Sequence, residues 1–224
     1  MVFSGVISFE RPYDKEGAPS CGIYLVTRDV SQPKLLGEQL RHTFTALNNS
    51  PYQRNMHALE MQFPEEIYDQ ERETASALVA LCKRNGVVPL IRHDLGLLVE
   101  CNAEGLLVNS ADGMQKAREV AGEAGILGID CGSDKAAAEA ALAAGVDYGV
   151  IEPSLLDWWS TATHLPAAVT GNFDDPASII ELVKNGAGFL RAGDWVWHHP
   201  EGPARAIYWL QEMIEHGLSQ RVVN

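Results

Sequence analysis

Between Val87 and Pro153 four short apolar runs recur at nearly even spacing. They are Val87-Val88-Pro89-Leu90-Ile91, Gly105-Leu106-Leu107-Val108, Ile126-Leu127-Gly128-Ile129 and Tyr148-Gly149-Val150-Ile151. Each is too short for a helix and almost unbroken by polar residues, the pattern of a parallel strand buried on both faces. Helical segments separate the last three, one from Asp112 to Ala124 and one from Ser133 to Ala144. A short helix fits between the first two. Strand and helix alternating at this interval are consecutive βαβ units.

The same rhythm extends in both directions. Upstream, Gly22 to Thr27 reads as a strand, followed by a helix from Pro33 to Leu47 that Asn48-Asn49-Ser50-Pro51 stops. His57 to Phe63 is the next strand. Pro64-Glu65-Glu66 then looks like an acidic helix start, with the helix running to Arg84 and closing at Asn85-Gly86. Downstream, Leu155 to Leu165 is a loop or short helix, and Pro166 to Thr170 is a seventh strand. Asp174-Asp175-Pro176 opens a helix that reaches Lys184, Phe189-Leu190 centres an eighth strand, and a last helix spans Pro203 to Glu215. Eight strands alternating with seven or eight helices, joined by right-handed crossovers, predict one closed (β/α)8 TIM barrel over residues 20–224. Residues 1–19 form a short N-terminal arm outside the repeat. A doubly wound open sheet is the competitor, but no G-x-G-x-x-G or Walker sequence follows the first strand.

Composition narrows the ligand. Apolar residues make up 46% of the 224, enough for one large core, and the net charge is −13. That charge argues against nucleic acid or an acidic membrane as partner. A phosphate ligand would need local neutralisation from helix N-termini, a metal or a few placed cations. No run approaches the about 18 apolar residues of a membrane span, and the N-terminus lacks a signal-peptide pattern. Cys21, Cys82, Cys101 and Cys131 are widely spaced, without a C-x-x-C pair. They read as reduced, buried thiols of a cytoplasmic protein.

In such barrels ligands bind at the C-terminal ends of the strands. The third strand ends in Arg92-His93-Asp94 and the fourth in Asn109-Ser110-Ala111-Asp112. The fifth ends in Asp130-Cys131-Gly132-Ser133, the seventh in Thr170-Gly171-Asn172-Phe173, and the eighth in Arg191-Ala192-Gly193-Asp194. Glu152 stands after the sixth. Several acids around one mouth repel, so a cation, a shared proton or hydrogen bonds must settle them. Mg²⁺, a hard and oxygen-preferring ion, is the economical answer. Capping of the following helix is the alternative for Asp112; Asp94, before Leu95, has no comparably good cap reading. His93, Asp130 and Ser133 are further candidates for touching a ligand. Gly171-Asn172 can offer backbone amides to a phosphate, with Arg92 or Arg191 adding charge. Trp158 and Trp159 after strand six can stack on a planar heterocycle, as can Trp195 and Trp197 after strand eight. The alternative is a lid packing on itself, or a patch that makes a homodimer.

With these residues laid out, the chain from Ile23 to about Ile214 resembles the thiamine-phosphate synthase family. Tyr24-Leu25-Val26-Thr27 is similar to that family's Y-L-V-T, and Pro89 to Asp94 to its P-L-I-I-N-D. Ala103 to Asp112 follows A-D-G-V-H-L-G-Q-E-D, and Ala144-Gly145-Val146-Asp147-Tyr148 follows A-G-A-D-Y. The resemblance implies a (β/α)8 barrel that joins a hydroxymethylpyrimidine diphosphate to a thiazole phosphate, releasing pyrophosphate with Mg²⁺. It also implies that Asp94 and Asp112 are the metal ligands. The chain departs from the family after strand two, where Q-L-R-E-K is replaced by Glu60-Met61-Gln62-Phe63-Pro64. The family's T-x-T-K loop is replaced by Leu156-Asp157-Trp158-Trp159. A second expectation therefore stands beside the first: a diverged member that binds a less charged heterocyclic ligand without that activity.

Overall fold

The computed structural model describes residues 20–27, 30, 32–48, 56–64 and 66–220; the expected N-terminal arm lies outside them. Eight parallel strands pair in sequence order and close on themselves. They are β1 (Gly22–Val26), β2 (Met56–Met61), β3 (Val88–Arg92), β4 (Gly105–Val108), β5 (Ile126–Gly132), β6 (Tyr148–Ile151), β7 (Ala167–Val169) and β8 (Phe189–Ala192). The helices that follow them are α1 (Pro33–Asn48), α2 (Asp69–Arg84), α3 (Leu95–Glu100), α4 (Met114–Ala121), α5 (Lys135–Ala143), α6 (Leu156–Ala162), α7 (Pro176–Lys184), α8 (Asp194–Trp197) and α9 (Pro203–Ser219). The architecture is a (β/α)8 TIM barrel, as the alternation predicts.

Helix starts follow local capping chemistry. Asp134 accepts from the amides of Ala136 and Ala137, and Asp175 from those of Ala177 and Ser178. Each satisfies two N–H groups that the helix itself leaves unpaired. Two boundaries differ from expectation. The helix expected at Pro64 begins at Asp69, where the Tyr68 N–H donates to the Glu71 side chain and Asp69 and Glu71 complement the helix dipole. The helix expected from Asp112 to Ala124 is a 3-10 turn over Ala111–Gly113 followed by α4. It stops early because Gly122 turns into the left-handed region at φ 71° and gives its N–H to the Arg118 carbonyl.

Strand alternation divides the core in two. Ile23, Leu25, Leu59, Ile91 and Leu127 belong to the larger apolar cluster with the helices. Tyr24, Ala58, Leu90, Tyr148 and Phe189 belong to a separate cluster that fills the bore. Its largest members meet across the axis: the Tyr24 and Tyr148 hydroxyls are 3.1 Å apart and their rings 5.9 Å. Glycines make room for these rings. A Cβ on Gly128 would stand 2.2 Å from the Tyr148 ring, and one on Gly149 would stand 2.3 Å from the Trp159 ring. The four cysteines are buried thiols, as expected. Gly128→Ala is expected to destabilise the barrel by about 1–3 kcal/mol through overpacking, read as a lower urea midpoint at unchanged slope. An unchanged midpoint would mean that the tyrosine ring moves aside without cost.

Candidate active site

Above the tyrosines the bore becomes charged. Ala58 faces inward on β2, so the residue two further on, Glu60, does too, and its side chain is fully buried. A buried carboxylate demands partners. Arg191 of β8 gives two parallel bonds, Nε to Oε2 and Nη2 to Oε1, both 2.9 Å. Arg92 of β3 donates from Nη1 to the same Oε1 at 3.0 Å and from Nη2 to Asp130 of β5 at 2.9 Å. Gln62 Nε2 adds a bond to Oε1 at 2.8 Å. The Gln62 N–H donates to the Thr27 hydroxyl, and the Thr27 N–H to the Glu60 carbonyl. One connected network, Arg191–Glu60–Arg92–Asp130, thus crosses the mouth from β8 to β5.

Burial by itself pushes the Glu60 carboxyl up. The hydrogen bonds and charge of Arg191, with Gln62 and Arg92, outweigh it and hold the group below the usual carboxylate range. Burial likewise works against the charge on Arg191, yet Glu60 keeps that guanidinium more firmly protonated than usual. Burial first, and then the Glu60 charge, raises Tyr24, so the tyrosine pair beneath stays neutral. His93 is exposed beside this network, in the left-handed region at φ 64°, with its N–H donating to the Leu107 carbonyl at 2.9 Å. Burial of part of the ring and the nearby Arg92 charge lower its pKa, so the imidazole is neutral at pH 7.

Of the acids after β3 and β4, it is Asp94 and not Asp112 that caps a helix. Asp94 caps α3, with Oδ1 accepting from the Leu97 N–H at 2.8 Å. Asp112, for which capping was the alternative to metal binding, stands exposed in the 3-10 turn, whose N-cap is Ser110. The two follow paired neighbouring strands, with Arg92 in register with Leu107, so both lie at the same end of the barrel. Among the described residues no group of three or more His, Cys, Asp or Glu side chains could hold a metal ion.

The remaining candidates divide. Ser133 is exposed in the turn before Asp134. Gly171 and Asn172 are exposed after β7, and Asn172 Oδ1 accepts from the Asp174 N–H at 3.1 Å. Further along, the amides of Ala177 and Ser178 at the start of α7 are taken by Asp175. Trp159 is a correction: it is buried in the wall, its ring against Gly149 and its Nε1 donating to the Leu165 carbonyl at 2.9 Å. An indole held on all sides offers no face to a ligand. Trp158 is half-buried, edge-on to Trp159, with Lys135 Nζ 5.3 Å above its ring. Trp195 packs against Phe173, His199 and Trp209 and donates to Asp174, and Trp197 donates to the Val26 carbonyl. The tryptophans after β8 therefore pack on the barrel and on one another.

The sequence profile described as thiamine monophosphate synthase matches residues 24–155, from the first strand through the turn after the sixth. The chain belongs to the thiamine monophosphate synthase family. A thiamine-phosphate synthase of Rhodospirillum centenum is 24% identical over 203 residues, 84% of this chain and 94% of that protein. One from Janthinobacterium sp. is 29% identical over 206 residues, 83% and 94% of the two chains. The solved thiamine phosphate pyrophosphorylase of Pyrococcus furiosus shares the fold, with a TM-score of 0.71 and 18% identity over 88% of this chain and 96% of that one.

For a thiamine monophosphate synthase family member, the residue that sequence reasoning missed is Glu60. The signal was present: an acid between Leu59 and Met61 in a strand, where an unpaired charge cannot be buried. The depressed Glu60 pKa fixes the sign of its linkage. Its contribution is complete above the unfolded carboxylate value and is lost as pH falls through the lower folded value. Glu60→Gln is expected to lower urea-unfolding free energy most above pH about 5, with the gap to wild type narrowing below pH about 4. A gap independent of pH would show that the carboxylate charge is not what the arginines hold.

Proposed function

We propose that this chain is a thiamine-phosphate-synthase-type transferase that joins hydroxymethylpyrimidine diphosphate to a thiazole phosphate and releases pyrophosphate. The observation that carries this reading is the shared placement of Asp94, Asp112, Arg92 and Arg191 at the C-terminal ends of β3, β4 and β8. The resemblance of Pro89 to Asp94 and of Ala103 to Asp112 to the family's motifs supports matching these two aspartates to the family's carboxylates. In this reading the bond to the diphosphate breaks while both substrates are held, so the site must stabilise charge that grows on the departing oxygens. Arg92 and Arg191 supply fixed positive charge at the floor of the mouth. His93, neutral and exposed beside them, can donate or accept one hydrogen bond to a ring substrate, and Trp158 offers a flat apolar surface.

A divalent ion of the Mg²⁺ type fits the donor set. Such ions are commonly held by one or two carboxylates together with substrate phosphate oxygens. Asp94 and Asp112 supply two, the first oriented by its bond to the Leu97 amide. When bound, the ion neutralises charge on the leaving diphosphate. A second reading is favoured by the Glu60 network, whose two arginines and two carboxylates sum to zero charge. It is a diverged member that takes a less charged heterocycle.

Incubating the protein with both phosphorylated substrates and Mg²⁺ is expected to yield thiamine phosphate. Asp94→Ala or Asp112→Ala is expected to cut the rate by roughly 100-fold, the scale for removing one group that stabilises departing charge, and to weaken Mg²⁺ binding in titration. No product from wild type, with thermal stabilisation by unphosphorylated rings instead, would transfer support to the second reading.

A further inference from the structure

We propose that Glu60 is a resident anion of the barrel mouth, a positioning and specificity residue. It holds Arg92 and Arg191 as a preassembled pair and thereby weakens the mouth for highly charged phosphate ligands relative to less charged ones. The inference rests on the reading that a phosphorylated ligand enters at the strand ends. A guanidinium binds carboxylate and phosphate through the same fork of parallel N–H groups. Glu60 fills that fork on Arg191 with two bonds of 2.9 Å and takes a third donor from Arg92. Asp130 takes a fourth.

Each arginine has five N–H donors, so three remain on each after these contacts. The Arg92 side chain is 23% exposed and that of Arg191 14%, so Arg92 is the more reachable of the two. A ligand phosphate arriving there meets donors already oriented, and also two carboxylates whose repulsion grows with its charge. Gln62 and Thr27 fix the end of β2 that carries Glu60. The carboxylate therefore cannot swing away to admit a second anion without breaking several bonds at once. Pyrophosphate and other multiply charged groups are penalised most, and a single phosphate or a carboxylate least.

The test is calorimetric binding of inorganic pyrophosphate, without metal, to wild type and variants. Glu60→Gln keeps the shape and adds one positive charge to the network, and is expected to tighten pyrophosphate by about tenfold, with a steeper loss of affinity as salt is raised. Asp130→Asn, on a half-exposed residue, is expected to tighten it by a smaller factor. Glu60→Asp, which keeps the charge but shortens the reach, is expected to melt earlier without any gain in affinity. Arg191→Met in the Glu60→Gln background is expected to erase the gain. A folded Glu60→Gln protein that binds pyrophosphate no better than wild type overturns the proposal, as does absence of binding to every variant. Should Glu60→Gln fail to fold, unchanged affinity in Asp130→Asn overturns it and tighter binding supports it. Turnover is scored separately. Product from wild type with no gain in Glu60→Gln removes this inference and leaves the transferase reading; a gain in binding with no product does the reverse.

Discussion

A barrel of eight strands closes around a bore that only inward-facing side chains can fill, and the character of that filling changes along the axis. Tyr24, Leu90, Tyr148 and Phe189 occupy the closed part with aromatic and aliphatic groups. Their fit depends on positions such as Gly128, where a side chain would collide with a ring. One layer higher the inward residues are Glu60, Arg92, Asp130 and Arg191. Glu60 is fully buried there and Arg191 nearly so, while Arg92 and Asp130 reach partly into water, and the buried charges must be answered by neighbours. Replacing Arg191 or Arg92 takes a partner from the buried Glu60 carboxylate, so the charges of this layer are linked.

This layer links fold to chemistry. The Tyr24–Tyr148 floor is neutral; the strand ends above carry Asp94, Asp112 and His93. The arginine donors at the mouth are held in place, and their positive charge is balanced by Glu60 and Asp130. Glu60, at the end of β2, pairs with both arginines. The aromatic cluster of Trp195, Trp209, Phe173 and His199 braces the loop after β8 that carries Arg191's strand into α8. It belongs to the support of the site.

The barrel itself was legible because buried parallel strands are continuous apolar runs and the helices between them carry acid caps and glycine stops. Asp175-Pro176 and Asn85-Gly86 mark their boundaries as read. Pro64-Glu65-Glu66 misled because a proline and acids suit a helix start but do not compel one. The start at Asp69 uses Glu71 folding back on the Tyr68 amide, a contact that composition does not reveal. Trp158 and Trp159 look equivalent in the sequence. Adjacent residues of a helix are rotated by about 100° from one another, and that rotation sends Trp159 into the wall against Gly149 while Trp158 stays half-buried.

What the sequence by itself determined is the alternation of strand and helix, the end of the barrel at which chemistry gathers, and the set of polar residues found there. Local periodicity and capping encode these, since they depend on neighbours a few positions apart. Which of those polar residues pair was decided only by closure. Glu60 and Arg191 are separated by 131 positions and meet because β8 returns to β1, bringing their strands within reach across a common bore. Pairing across a barrel is a property of the closed ring, and no stretch of chain carries it alone.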